Sequence, residues 1–413
     1  MDKNYFPLNK VQLTRLAEQY GTPFYIYDEE EICKNFRLLA NAFKSFSNFK
    51  VFFSVKACPN PYILKILKKE GSGASCSTLS EIILAENAGF FGEDIFFTTN
   101  ESSAREIIYG NLKNCLFNLD DISHIDFLEK TLGGIPEFIS ICYNSIFSQE
   151  KKQEGSFGLS REQVFQACKI LQEKGVQKFG LHVNLSEKVT SYLFLQRIDS
   201  LFTLMVEIKE KFGVKIQNIL LGIHQVFPRD IKERNLDYES FAKKIKDSYD
   251  KKLLPAELNS TTIALECGSL ITEPFGYLVS KVLYQKSGGQ DFIKLDYSIP
   301  ELIDLTKDDY NIFIVDKEKQ NETNKYIVLG SVTENYNNCI IETSLPHLEN
   351  GELIIINNMG SYSRAKESNY KGKLRSGELL LRRNGTVIPI RRQETLDDYF
   401  STIDFVKLKN FNV

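Results

Sequence analysis

A lysine and a glutamate occupy matching places in this chain, each closing a run of apolar residues. Lys56 follows VFFSV in FFSVKACPN, and Glu266 follows TTIAL in ALECGS. A lysine at the end of an apolar strand is open to desolvation, which depresses its pKa and frees the neutral amine as a nucleophile. A carboxylate sheltered in a strand-end mouth can pair with a protonated pyridine nitrogen and so tune a bound heterocycle. Each also has an ordinary alternative: a solvated strand-end lysine, and a carboxylate that caps neighbouring backbone N–H groups.

Weaker candidates accompany them. His182 and Asn184 in FGLHVN are two residues apart, so a strand would point both to one face, where one could lie against a planar cofactor. A hydrogen-bonded core histidine is the alternative. Gly222 in NILLGIHQ would let the backbone approach a ligand, and a phosphate could bind nearby. The stretch NNMGSYSRAKESNY carries Gly360, Tyr362 and Tyr370, and reads equally well as an ordinary β-connection. The four histidines lack H-E-x-x-H spacing and the eight cysteines contain no C-x-x-C pair, so neither a metal site nor a disulfide framework is expected.

The elements that must position these residues alternate. Short apolar runs at 51–55, 73–76, 95–98, 116–119, 138–143, 179–184, 218–223 and 261–266 read as strands. Helical stretches separate most of them, at 61–71, 79–89, 161–175 and 197–213, and the last three end on Gly89, Gly175 and Gly213. Eight strands with helix-length connections predict an α/β fold, a (β/α)8 TIM-like barrel, with a doubly wound open sheet as the alternative. Beyond about residue 285 short strands at 325–330, 352–357, 378–381 and 386–390 follow one another through turns, which predicts a β-rich second domain. The expected division is a barrel over 34–285, with 1–33 and 286–413 in the β-rich domain.

Composition narrows the partners. The 413 residues carry a formal net charge of −3 without a basic stripe, which argues against nucleic acid. No apolar stretch is long enough to span a membrane, and the N-terminus lacks the apolar core of a signal peptide, so a cytoplasmic protein is expected.

These signals occur in an order that resembles the fold-type III pyridoxal 5′-phosphate decarboxylases, the group of diaminopimelate, ornithine and carboxynorspermidine decarboxylases. TPFYIYDEEEI (22–32), FFSVKACPN, GSGASCSTLSEI (71–82) and FFTTNESSAREI (96–107) are similar to successive motifs of that family. So are ALECGSLITEPFGYLVSKVLYQK (264–286), LPHLENGELIIINNMGSYSRAKESNY (345–370) and RRQETLDDYF (391–400). The resemblance spans nearly the whole chain. It implies that Lys56 carries the cofactor as a Schiff base and handles protons, and that Glu266 holds the pyridine nitrogen protonated. Asn184 falls where the family has a ring-stacking histidine, with His182 two residues before it. Gly222 and Tyr362 are implied to hold the phosphate. A homodimer is implied too, with the second domain of one subunit completing the partner's site.

The departures are equally specific. The glycine-rich phosphate loop reads Leu221, Gly222, Ile223, His224, and the family's EPGR arginine is Ser269. An early barrel aspartate is Ser75, a fifth-strand arginine is Cys142, and the lysine of a KFG motif is Ser156. The partner-donated catalytic cysteine appears as Thr333, beside Glu334, while Cys339 lies six residues further on. The implied reaction is decarboxylation of an amino acid or amino-acid conjugate, with Lys56 or His182 as the proton donor. The departures point to the family's siderophore branch and a citrate-linked ornithine, whose carboxylates Arg364, Lys366 and Lys371 could meet. Diaminopimelate, ornithine and lysine are alternative substrates. A racemase and a catalytically silent binding protein are the competing classes; a ring-paired Glu266 argues against the racemase.

Overall fold

The computed structural model describes residues 5–144, 157–185, 191–223, 237–288, 290–297, 311–315, 323–330 and 341–409. The chain divides into two compact units, Glu31–Ile271 and Met1–Glu30 with Thr272–Val413. Strand β1 (Phe24–Asp28) belongs to the second, and the next eight strands build the first. These are β2 (Phe49–Ser54), β3 (Gly73–Cys76), β4 (Ile95–Thr98), β5 (Leu116–Leu119), β6 (Phe138–Cys142), β7 (Lys178–Leu185), β8 (Ile216–Ile223) and β9 (Thr262–Cys267). They pair in parallel in chain order, and β9 returns to β2, closing the barrel. The unit is the α/β TIM-like barrel that the alternation of apolar runs and helices predicts.

Local chemistry sets the helices between the strands. The Thr78 hydroxyl accepts from the Glu81 N–H to start helix Leu79–Ala88, and Gly89 ends it in the left-handed region at φ 98°. Asn60 and Pro61 begin helix Pro61–Lys69, with proline in the first turn where its missing N–H costs nothing. Ser160 and Gln163 form a reciprocal cap at the start of helix Arg161–Glu173.

The barrel interior is layered by the two-residue period of its strands. Phe52, Phe96, Leu220 and Ala264 pack together as an apolar floor, with Leu116 against it. Two residues on, toward the C-terminal strand ends, stand Ser54, Thr98, Gly222, Glu266 and Asn118. The same alternation thus changes from apolar to polar or small one layer below the mouth, the face where barrels of this kind carry their chemistry.

The second unit is a mixed sheet. Its strands are β1, β10 (Gly276–Gly288), β11 (Gln290–Leu295), β12 (Ile312–Phe313), β13 (Thr323–Leu329), β14 (Ile341–Pro346), β15 (Leu353–Ile356), β16 (Gly377–Leu381) and β17 (Val387–Arg391). The order is β14-β13-β11-β10-β1-β16-β17, with β15 pairing β10 and β12. Because β10 pairs β1, β11 and β15, the chain enters this unit at Thr272, ahead of residue 286 where the sequence changes character. Phe24 and Ile26 of β1 share a core with Tyr277, Val279, Ile355 and Leu379.

Within this unit two glycines allow a close backbone crossing. A Cβ on Gly360 would lie 1.9 Å from the Thr272 carbonyl oxygen, and one on Gly276 would lie 2.2 Å from the Gly360 Cα. The Thr272 and Ser361 hydroxyls are 2.6 Å apart across the same crossing. The chain then reaches Tyr362 at φ 61°, an uncommon backbone for a residue with a side chain.

Candidate active site

Lys56 does not sit in the strand that leads to it. β2 ends at Ser54 and the chain tightens into a 3-10 turn, Val55–Ala57. Val55 and Ala57 are buried, while Lys56 is exposed at the C-terminal rim. The desolvation expected from the apolar run is therefore absent: the turn anchors on its two small apolar residues and sends the lysine outward. The rim beyond β9 lies against this turn, since a Cβ on Gly268 would come within 2.3 Å of the Ala57 Cβ. Only glycine lets the segment after Glu266 pack so closely on the turn that carries Lys56.

Glu266 is 6% exposed, in the polar layer above the floor. Its Oε1 accepts from the Ser75 hydroxyl at 2.9 Å and the Ser54 hydroxyl at 3.3 Å. Its Oε2 lies 3.1 Å from His182 Nε2, close but outside hydrogen-bond alignment. The other imidazole nitrogen, Nδ1, is 3.1 Å from Asn118 Nδ2, which also donates to Thr98 Oγ1 at 3.4 Å. The Phe96 ring and the imidazole meet in a T-shaped arrangement, with centroids 6.0 Å apart. His182 is thus a buried member of the polar layer, with Phe96 against its ring. Two side-chain hydroxyls from neighbouring strands converge on Oε1 of the carboxylate.

Two carboxyl groups that the motif reading passed over stand at the same strand ends. Glu81, on the first turn of helix Leu79–Ala88, accepts from the Ser77 N–H at 2.7 Å. Burial pushes its carboxyl above the ordinary range, while the Ser77 N–H and the Lys56 cation pull it back. Asp120, just past β5, is likewise raised by burial, against a Cys142 thiol that hydrogen-bonds it and the nearby His182. Cys142 is the position where an arginine was expected from the resemblance, and here it meets Asp120 as a weak S–H donor. Glu81 lies inside the quoted stretch STLSEI, so that motif was its signal; Asp120 had none beyond its place after an apolar run.

The remaining candidates separate. Gly222 is buried in β8, paired with Asn184 on one side and Glu266 on the other. The Asn184 backbone ends β7 two residues after His182, and its side chain lies outside the described residues. Thr333, Glu334, Ser156, His224 and Cys339 also lie outside them. Tyr362 belongs to the second unit, with the Lys366 ammonium 5.6 Å from its ring centroid. Arg364 is not the open carboxylate receptor expected of a charged loop. It is mostly buried, donates to the Ser376 carbonyl at 2.8 Å, and lies 3.6 Å from Glu367 Oε2. Glu367 also accepts from the Ser376 hydroxyl and N–H, both at 2.8 Å.

The barrel rim therefore carries an exposed amine above a buried, hydroxyl-held carboxylate, which suits anchoring a ring with a basic nitrogen. Among the described residues no cluster of three His, Cys, Asp or Glu side chains could hold a metal ion, and no helix is long and apolar enough to cross a membrane.

Comparison with known proteins places the chain in a family. Residues 29–273 match the family described as pyridoxal-dependent decarboxylase, pyridoxal binding domain. Protein TabA of Pseudomonas amygdali pv. tabaci is 30% identical, over 99% of this chain and 97% of its own length. Diaminopimelate decarboxylase of Methanothermobacter thermautotrophicus is 26% identical over 96% of this chain and 95% of its own. The crystal structure of diaminopimelate decarboxylase from M. jannaschii in co-complex with L-lysine superposes with a TM-score of 0.86 at 23% identity, covering 98% of this chain and 99% of that one. The lysine/ornithine decarboxylase of Vibrio vulnificus, complexed with putrescine, gives a TM-score of 0.76 at 21% identity, covering 90% and 97%.

Proposed function

The chain belongs to the pyridoxal-dependent decarboxylase family, and on that premise we propose that it removes CO2 from a free diamino acid at the barrel mouth, with its cofactor carried on Lys56. The cofactor is pyridoxal 5′-phosphate, and the activity of the family is amino-acid decarboxylation. When bound, this group supplies an electron sink for the pair released as the Cα–carboxylate bond breaks.

The chain's own residues fit that group. Glu266 is a buried acceptor for a protonated ring nitrogen, and its two serine donors favour the ionised carboxylate. Asn118 Oδ1 and Ser140 Oγ are buried polar atoms without hydrogen-bond partners, which suits a site completed by a polar ligand. Lys56 has the exposure a covalent anchor requires, because the cofactor and substrate must both reach its amine. The same amine is the better proton donor to Cα. His182 is 3% exposed, with Nδ1 against Asn118 and Nε2 facing Glu266. The single observation that carries the reading is the hydroxyl-held carboxylate at the end of β9, beside the turn that bears Lys56.

Of the three cations that a citrate-linked substrate was expected to meet, Arg364, Lys366 and Lys371, the first weighs on the choice of substrate. A citrate-linked amino acid would need cations for its extra carboxylates, and Arg364 is committed to Ser376 and Glu367. Relatives named for a reaction include diaminopimelate decarboxylases, which favours a free diamino acid such as diaminopimelate, lysine or ornithine. The reading includes a cytoplasmic homodimer with shared active sites.

The expected result is CO2 release from one of the three free diamino acids, dependent on added pyridoxal 5′-phosphate. The assay would screen these beside a citrate-linked ornithine and follow substrate chirality in parallel. CO2 from the citrate conjugate alone would move the substrate to the siderophore type. Loss of chirality without CO2 would overturn the reading.

A further inference from the structure

We propose that Ser54, Ser75, Asn118 and His182 act as one set of positioning residues that would hold Glu266 ionised and fixed in orientation for the cofactor's ring nitrogen. The inference rests on the assignment of Glu266 to the ring nitrogen.

Three adjacent strand ends build the first half of the device. Ser54 of β2 stands in register with Ser75 of β3, and β9, carrying Glu266, flanks β2 on its other side. Both hydroxyls converge on the same oxygen, Oε1, at 3.3 and 2.9 Å. Ser54 is 1% exposed, Ser75 4% and Glu266 6%, so bulk water has little access to replace either donor. In such surroundings an ionised carboxylate depends on the hydrogen bonds it receives. Two donors on one oxygen also fix the plane of the carboxylate, which a single donor would leave free to swing.

The second half acts from the opposite wall. An amide nitrogen only donates, so Asn118 Nδ2 makes His182 Nδ1 an acceptor. The imidazole hydrogen then resides on Nε2, the nitrogen 3.1 Å from Glu266 Oε2. That N–H presents positive charge to the second carboxylate oxygen even without hydrogen-bond alignment. Asn118 is fully buried and is positioned in turn by Thr98. Two hydroxyls therefore donate to one oxygen of Glu266 while the imidazole faces the other without a hydrogen bond, and an aspartate at position 75 would set a like charge against Oε1.

The test reconstitutes the full-length protein and its variants with pyridoxal 5′-phosphate. It reads the absorbance band of the protonated ring, the cofactor dissociation constant, and thermal unfolding without cofactor. Glu266→Gln is the reference and is expected to weaken the band and the affinity. The double variant Ser54→Ala/Ser75→Ala is expected to shift the band in the same direction and weaken affinity about tenfold, the loss of hydrogen bonds to a charged group. His182→Asn is expected to shift it less, Ser75→Asp more, and Ser75→Thr, which keeps the hydroxyl, to match the parent. Unchanged band and affinity in the double serine variant, with Glu266→Gln shifted, would overturn this inference alone. An unshifted Glu266→Gln would overturn the ring-nitrogen assignment beneath it. If the double variant unfolds, the contrast of Ser75→Asp with Ser75→Thr decides by the same readouts.

Discussion

Lys56→Ala is expected to lower decarboxylation by about 1000-fold or more while leaving the fold intact. The rate loss follows from removing both the covalent anchor and the proton donor, each of which contributes on the order of 100-fold or more. The intact fold follows from placement. Val55 and Ala57 carry the packing of the turn, and the Lys56 side chain is exposed. Truncating an exposed side chain away from caps and buried networks changes stability by about 0.5 kcal/mol or less. Steady-state CO2 release and a thermal melt on the same preparation check the two halves together. A melt that collapses along with the activity would mean that Lys56 supports the turn.

The second large effect is structural and lies in the other unit. Glu378 of β16 is 1% exposed, accepts from the Tyr27 hydroxyl at 2.8 Å, and pairs with Arg391 of β17. It thus ties β1 to β17 through one buried carboxylate. Glu378→Ala would remove the acceptor of a buried phenol and the ion-pair partner of a half-buried guanidinium. Breaking a buried pair by removing one member costs about 3–5 kcal/mol, and partial exposure of Arg391 sets the expectation at the lower end, about 3 kcal/mol. Urea unfolding followed by tyrosine fluorescence reads this directly. A change of under about 1 kcal/mol would show that solvent compensates the pair.

The barrel was legible because its strands are nearly continuous apolar runs between helices that end on glycine. Gly89 stops its helix where the sequence predicts, in the left-handed conformation that glycine adopts without strain. Glu266 was legible for the same reason, as a charge closing an apolar run. What surrounds it was not. Ser54, Ser75 and Asn118 are small polar residues common in any chain, and their meaning comes from standing one two-residue step above Phe52, Gly73 and Leu116. That step becomes informative only when strand register shows which residues share a layer.

Two expectations failed for identifiable reasons. Of the two readings of Lys56, the desolvated one failed and the solvated strand-end one held: VFFSV reads as a buried strand running straight into the lysine. The chain instead leaves the strand at Ser54, and one 3-10 turn reverses the exposure of the next residue. Arg364 was expected to be available to a substrate's carboxylates because it stands with Lys366 and Lys371 close to Tyr362. The Gly360 crossing draws that segment in, and Glu367 and Ser376, whose burial no local pattern announces, take up the guanidinium. Charge in a sequence reports what a residue can pair with; only the fold says whether the pairing is spent inside the protein.

The central claim is that Lys56 holds the cofactor. Borohydride reduction of the protein loaded with pyridoxal 5′-phosphate, followed by proteolysis and peptide mass spectrometry, tests it directly, because reduction traps the cofactor on the lysine that carries it. The account predicts a single phosphopyridoxyl adduct, on the peptide containing Lys56. An adduct on another lysine, with Lys56 unmodified, would contradict it.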